Sequence, residues 1–205
     1  MSGSTLVAAL EQSQRLGFLG ARPIPEVIAH ARGFVRALAD HDDLHTVLDL
    51  GAGGGVPGLV IAHDRPDLHV TLLDRRAKRT DFLERVVRRL EWADRVTVVC
   101  ADVADFRPDD RFDAVVARGF GPPSFTLSVA AGLVRPGHPI VISEPPEADR
   151  WDDGLIDRLG VRRLMDASVP RDARRDTEIN SKSSGEHSDE NPGGIDGLVA
   201  VFLAE

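Results

Sequence analysis

Residues 47–58 read Val-Leu-Asp-Leu-Gly-Ala-Gly-Gly-Gly-Val-Pro-Gly. Asp49 stands two positions before Gly51, and Gly53 and Gly55 follow at alternate positions. Glycine enters left-handed backbone conformations without steric cost and places no Cβ between the chain and whatever lies over it. A strand that runs into such a turn and leaves it as a helix can bring its backbone against a nucleotide-like ligand. A second acid, Asp74, closes the next apolar run. A carboxylate at that place can accept both hydroxyls of a ribose; its alternative use is to cap the helix that follows.

Side chains so spaced need a sheet edge to hold them, and the hydrophobic periodicity supplies one. Helical spacing runs from Leu6 to Leu16 and again over 25–38, where Pro25 suits the first turn. Strand-like runs then cover 46–50, 69–73, 96–100, 112–117, 139–143, 161–164 and 198–203. Between them lie helical stretches at 57–63, 77–92, 122–134 and 152–159. Strands alternating with helices predict an α/β fold: a doubly wound, mostly parallel, seven-stranded, Rossmann-like sheet. The expected layout is a single domain over 1–205, with a helical lead-in at 1–45, a cofactor-binding core at 46–168 and a final strand at 198–203. Residues 170–197 hold almost no apolar side chains. Such a stretch cannot bury enough surface to offset its ordering entropy, and a mobile loop is expected there.

Bulk composition narrows the function classes. No run approaches the ~20 apolar residues of a membrane span. The first residues carry no basic stretch followed by an apolar one, as a secretory signal would. A single cysteine, Cys100, allows no internal disulfide, and its place at a strand end predicts burial. A cytoplasmic location is the expectation. The formal net charge of −8 argues against broad, non-specific nucleic-acid binding. Residues 75–95 run against that balance, with eight Arg and Lys (Arg75, Arg76, Lys78, Arg79, Arg85, Arg88, Arg89, Arg95) and four acids. Such a segment is either a solvated helix face or a docking surface for RNA phosphates. His41 and His45 mimic a zinc-helix spacing, but they fall in a connection rather than inside a helix, and no metal site is expected.

Two ligand registers compete for the glycines. Gly53-x-Gly55-x-x-Gly58 formally fits a dinucleotide fingerprint. That register leaves Gly51 without a role and Asp49 as a buried carboxylate without a partner, which is costly. The pattern Asp-x-Gly-x-Gly-x-Gly resembles instead the cofactor loop of class I S-adenosylmethionine methyltransferases. In that register Asp49 accepts a hydrogen bond from the amino group of the cofactor's methionine end, directly or through water. Gly51, Gly53 and Gly55 pass beneath the ligand.

The resemblance sharpens over residues 48–90, from Leu-Asp-Leu-Gly-Ala-Gly-Gly-Gly-Val-Pro-Gly through Thr-Leu-Leu-Asp to Lys78-Arg79-x-x-Phe82-Leu83. It is similar to the cofactor core of the RsmG (GidB) family, the bacterial small-subunit ribosomal RNA guanine-N7 methyltransferases. Leu16–Gly20 and the stretch from Phe112 to Phe120 resemble that family's flanks. The resemblance implies S-adenosyl-L-methionine as cofactor, with contacts at Gly51, Val56, the pair Val103-Ala104 beside the adenine, and Arg118. An arginine at Arg118 could pair with the cofactor's carboxylate or with an RNA phosphate. The implied partner is ribosomal RNA or the small ribosomal subunit, met through the 75–95 segment. Guanine N7 carries a lone pair and no proton, so no general base is required, and no catalytic residue is assigned.

The sequence departs from the family pattern in three places. Family members begin with a longer helical segment. Their fifth strand commonly leads to Lys-Gly, where this chain has Ser143-Glu144-Pro145-Pro146, a replacement expected to reverse a charge near the substrate face. The 170–197 stretch also looks foreign. A diverged paralogue with a small-molecule acceptor, or a non-catalytic S-adenosylmethionine-binding module, stays open on these grounds.

Overall fold

The computed structural model describes residues 2–144, 151–164 and 199–205. Two helices come first, α1 (Ser2–Arg15) and α2 (Ile24–Ala39). Strands and helices then alternate: β1 (Thr46–Leu50), α3 (Gly58–Asp64), β2 (His69–Asp74), α4 (Ala77–Arg89), β3 (Val96–Cys100) and β4 (Ala114–Ala117). They continue as α5 (Pro123–Leu133), β5 (Pro139–Ser143), α6 (Asp153–Arg158), β6 (Val161–Leu164) and β7 (Val199–Ala204). The seven strands form one sheet in the order β3-β2-β1-β4-β5-β7-β6. β1 to β5 pair in parallel, and β7 runs antiparallel between β5 and β6. The doubly wound, mostly parallel α/β sheet expected from the alternation is therefore the observed one.

The central strands are apolar on both sides because both sheet faces are covered. Along β1 the two-residue period sends Val47 and Asp49 to one face and Leu48 and Leu50 to the other. Val47 joins a core shared with α1, α2, α3 and α4, which includes Leu10, Phe34, Leu59 and Phe82. Leu48 and Leu50 join a second core with α5 and α6, which includes Leu127, Ile140, Ile156 and Phe202. The lead-in is thus part of the first core. Its Ser13 hydroxyl is buried and donates to the Gly54 carbonyl at 2.8 Å.

Some expectations need correction. Cys100 is exposed. It ends β3, which stands at the sheet's edge with no strand beyond it among the described residues. β4 starts at Ala114, because Asp113 turns its carboxylate back toward the start of β1. There Asp113 accepts the amides of His45 and Thr46 at 2.9 and 2.8 Å and the Thr46 hydroxyl at 3.0 Å. Arg135 also donates to it. These donors outweigh the desolvation of the buried group and hold its pKa below the ordinary carboxylate range. The expected mobile loop at 170–197 lies outside the described residues.

Helix α4 buries Thr80, Phe82, Leu83, Val86 and Val87 along one stripe. It ends in a Schellman turn: Glu91 donates its amide to the Arg88 carbonyl, and Trp92 donates to Val87 at 3.0 Å. The left-handed position of that turn, φ 59°, is held by Glu91, the one non-glycine residue with positive φ among those described. A Cβ in this region costs ~1–2 kcal/mol. Glu91→Gly is therefore expected to stabilise the protein by about 1 kcal/mol, seen as a higher urea midpoint with an unchanged slope.

Candidate functional site

The glycine loop follows β1 and is held from below. The amides of Gly51 and Ala52 both donate to the Leu73 carbonyl, at 2.9 and 2.8 Å. The Gly53 amide donates to Asp74 Oδ2 at 2.9 Å, and the Arg76 amide to Asp74 Oδ1 at 2.8 Å. Arg79 stands 3.5 Å from Asp74 Oδ2. Asp74 therefore shapes the loop and the start of α4 together. It is not the N-cap of α4, a place taken by Arg76. Gly51, Gly53 and Gly55 all adopt positive φ, at 77°, 54° and 97°. Here the glycines serve the turn's backbone, not only a ligand's approach.

Asp49 lies directly beneath the loop and is 1% exposed. Its Oδ2 accepts the Gly58 amide at 2.8 Å, which opens α3. Its Oδ1 is buried and has no hydrogen-bond partner among the described residues. Burial, opposed by the Gly58 bond and by the Arg118 charge, pushes its pKa up to about 7. The contact with Gly58 leaves no spare room. A Cβ on Gly58 would stand 2.3 Å from Leu72 Cδ2 and 2.5 Å from Asp49 Oδ2. Gly55 is equally confined, since a Cβ there would meet Leu59 at 2.4 Å. Val56 is buried, and its carbonyl accepts Arg118 Nε at 3.2 Å. That bond places the Arg118 guanidinium over the loop's exit.

A cavity of about 350 Å³ opens beside the loop at the carboxyl ends of β1 to β4. Of the residues singled out from sequence, Gly51, Asp74 and Val103 line it. Ala104 lines a neighbouring cavity of about 560 Å³ that shares Val103 with the first. Between β3 and this second cavity, Asp102 accepts the Ala104 amide at 3.0 Å and faces Arg75 at 3.5 Å. Asp49, Gly53, Gly55, Val56 and Arg118 do not line either cavity; Asp49 lies beneath the loop and Arg118 at its exit.

Two residues at this end of the sheet, Phe125 and His30, are not singled out by the sequence, and Phe120 is read from it only as part of the Phe112–Phe120 resemblance. Phe120 and Phe125 line the first cavity and stack on each other. His30 on α2 is held below its ordinary pKa by burial and by the charges of Arg118 and Arg22, so the lead-in also faces this end of the sheet. Only the period of an exposed helix face could have suggested Phe125.

The acid at Glu144, expected to reverse a charge near the substrate face, is paired within the chain. Glu144 receives the Trp151 indole N–H and pairs with Arg163 at 3.7 Å. Its charge is compensated within the second core's rim. The 75–95 segment divides in two. Arg75, Arg76 and Arg79 line the first cavity. Arg95 turns inward, donating to the Ala62 carbonyl at 2.6 Å and covering Trp92. Arg88 pairs with Glu84, and Arg89 reaches Gln12. Lys78 and Arg85 are exposed and make no ion pair with the described residues.

Sheet order, glycine loop and the acid ending the second strand define the class I methyltransferase fold. The family model described as GidB, rRNA small subunit methyltransferase G, matches residues 10–144, and the chain belongs to that family. A ribosomal RNA small subunit methyltransferase G from Nocardioides sp. is 40% identical over 121 residues, covering 58% of this chain and 48% of the relative. One from Burkholderia multivorans is 34% identical over 154 residues, covering 73% and 64%. The chain thus spans about half the length of the first of these relatives. Among solved structures, the mitomycin 7-O-methyltransferase MmcR superposes with a TM-score of 0.59 at 15% identity, over 87% of this chain and 54% of its own. A SAM-dependent methyltransferase from Geobacter sulfurreducens, solved with S-adenosyl-L-homocysteine, gives 0.53 at 23%, over 66% and 65%. The [4+2]-cyclase SpnF gives 0.54 at 22%, over 67% and 61%, so the fold by itself assigns no reaction.

The buried Asp49 produces a pH effect with a definite sign. Its pKa is raised by folding, so the folded state favours the protonated acid. Below about pH 4 both states are protonated and nothing is lost. From there to about pH 7 the unfolded chain ionises first, and stability falls as pH rises. Asp49→Asn keeps an acceptor for Gly58 and removes the charge. Its stability relative to wild type is expected to climb across that window by on the order of 3 kcal/mol and then level off, measured by urea unfolding at stepped pH. A flat difference from pH 4 to pH 8 defeats this assignment.

Proposed function

We propose that this protein is an S-adenosylmethionine-dependent methyltransferase acting on guanine N7 of small-subunit ribosomal RNA. The observation that carries the reading is the unpartnered Oδ1 of Asp49 beneath a glycine-rich loop whose far edge is bounded by Asp74. A buried carboxylate oxygen without a donor is expensive unless a ligand supplies one. The ammonium of a methionine moiety is such a donor, and a ribose suits the remaining acceptor capacity of Asp74. A dinucleotide leaves Asp49 unanswered.

In this reading Gly51 gives the ligand its floor, Gly53 carries the loop past it on the Asp74 carboxylate, and Gly55 and Val56 set the loop's exit. Val103 and Ala104 border the adenine, and Arg118, anchored on the Val56 carbonyl, meets a carboxylate or an RNA phosphate. When bound, S-adenosylmethionine would supply a methyl group activated by the positive charge on its sulfur. The chain's own task is then to align and to exclude water. No side chain has to accept a proton.

Asp74→Asn retains an acceptor for the Gly53 amide but loses the charge. It is expected to weaken S-adenosylmethionine binding by roughly 10- to 100-fold, read by calorimetry, and to lower the melting temperature of a still-folded protein, because its amide nitrogen cannot accept the Arg76 amide. Absence of binding heat with the wild type ends the reading. The RNA partner is tested separately, by tritium transfer from labelled cofactor to small ribosomal subunits. Lys78→Glu combined with Arg85→Glu is expected to reduce transfer severalfold and to flatten its salt dependence, with cofactor affinity unchanged. Transfer insensitive to both salt and these charges removes the 75–95 face from the RNA path.

A further inference from the structure

We propose that Phe125, backed by Phe120, is the surface on which the acceptor base stacks. This rests on the methyltransferase reading and adds the acceptor subsite to it. Phe120 follows β4, and its ring lies against the tip of β1. A Cβ on Gly51 would stand 2.7 Å from Phe120 Cδ2. The ring therefore covers the first glycine of the loop, beside the place a ligand on that loop must occupy. Phe125, in the first turn of α5, stacks on Phe120 with centroids 5.8 Å apart and planes 12° apart.

Phe125 is 50% exposed, one of two large apolar side chains so exposed among the described residues. A scattered exposed apolar side chain is ordinary. This one differs because the backbone around it is built for it. Gly119 takes φ +65°, and a Cβ on Gly121 would stand only 3.2 Å from Phe125 Cδ1. Pro122 and Pro123 fix the start of α5. The ring also partitions the two cavities: it lines the one that reaches Gly51 and Asp74 and the one bounded by Arg107, Arg111 and the α5 face. A planar base entering from solvent finds an aromatic face first, and arginines beyond it for a neighbouring phosphate.

The occupant is a purine methylated on a ring nitrogen. Bases splayed out of RNA are held mainly by stacking on aromatic side chains, which accept any planar ring. A base methylated on N7 becomes a cation, and the face of an aromatic ring attracts a cation more than a neutral ring. The stack thus favours the charge distribution that forms as the methyl group moves, without needing an acid or base.

The test compares wild type, Phe125→Leu and Phe125→Trp in methyl transfer to small ribosomal subunits, with cofactor affinity measured by calorimetry. Leucine keeps apolar bulk and removes the π face; tryptophan keeps the face. The expected result is a roughly 5- to 150-fold loss of kcat/KM for Phe125→Leu, the span of one base–aromatic stack. Phe125→Trp is expected to stay within a few-fold of wild type, and cofactor affinity to stay within about twofold in both. Wild-type transfer by Phe125→Leu, equal loss in both variants, or a parallel loss of cofactor affinity each overturns the proposal. Wild-type protein that transfers nothing sinks the methyltransferase reading instead, and the acceptor subsite with it.

Discussion

Two carboxylates hold the glycine loop from beneath, and the site depends on that clamp. A loop this rich in glycine has little packing of its own beyond Ala52 and Val56, so its amides must be anchored. Asp74 takes the Gly53 amide, the Leu73 carbonyl takes two more, and Asp49 takes the amide that opens α3. Each anchored amide would otherwise be a buried donor without a partner. The confined glycine at Gly58, the Arg118 bond to Val56 and the stack over Gly51 are all arranged around the loop so fixed.

The same residue type does opposite work at the two ends of the sheet. At the amino-terminal end of β4, Asp113 is surrounded by donors and stays ionised easily. At the carboxyl-terminal end of β1, Asp49 is as well buried but under-supplied, and burial wins. The satisfied acid ties a strand to its neighbour's start. The unsatisfied one sits where open α/β sheets place their ligands. Ligand ends of sheets are where incomplete solvation is tolerated, because a ligand completes it.

Much of the fold was legible because burial on both faces writes itself into the chain as apolar runs. β1, β3, β5 and β6 fall on the residues their runs marked. Strand ends set by long-range bonds were not legible: β4 begins late because Asp113 bonds to residues that lie far away in sequence. The glycine loop and its two acids could be read as a site, since their spacing is local. What could not be read was which of them face the cavity. Exposure of Cys100 depends on strand order, and the harmless charge of Glu144 depends on Arg163 across the sheet's edge. Neither is written in any local window.

Gly54 differs from Gly53 and Gly55 in lacking a positive φ, so the left-handed region is not what demands glycine there. The demand comes from α1 and the segment after it: a methyl group at this position would collide with the Ser13 hydroxyl at 2.6 Å and with Leu19 at 2.7 Å. Helix and loop are therefore one mould. During divergence neither can drift alone, and a lead-in borrowed from a relative fits only if it brings a hollow or a small residue to the same two places.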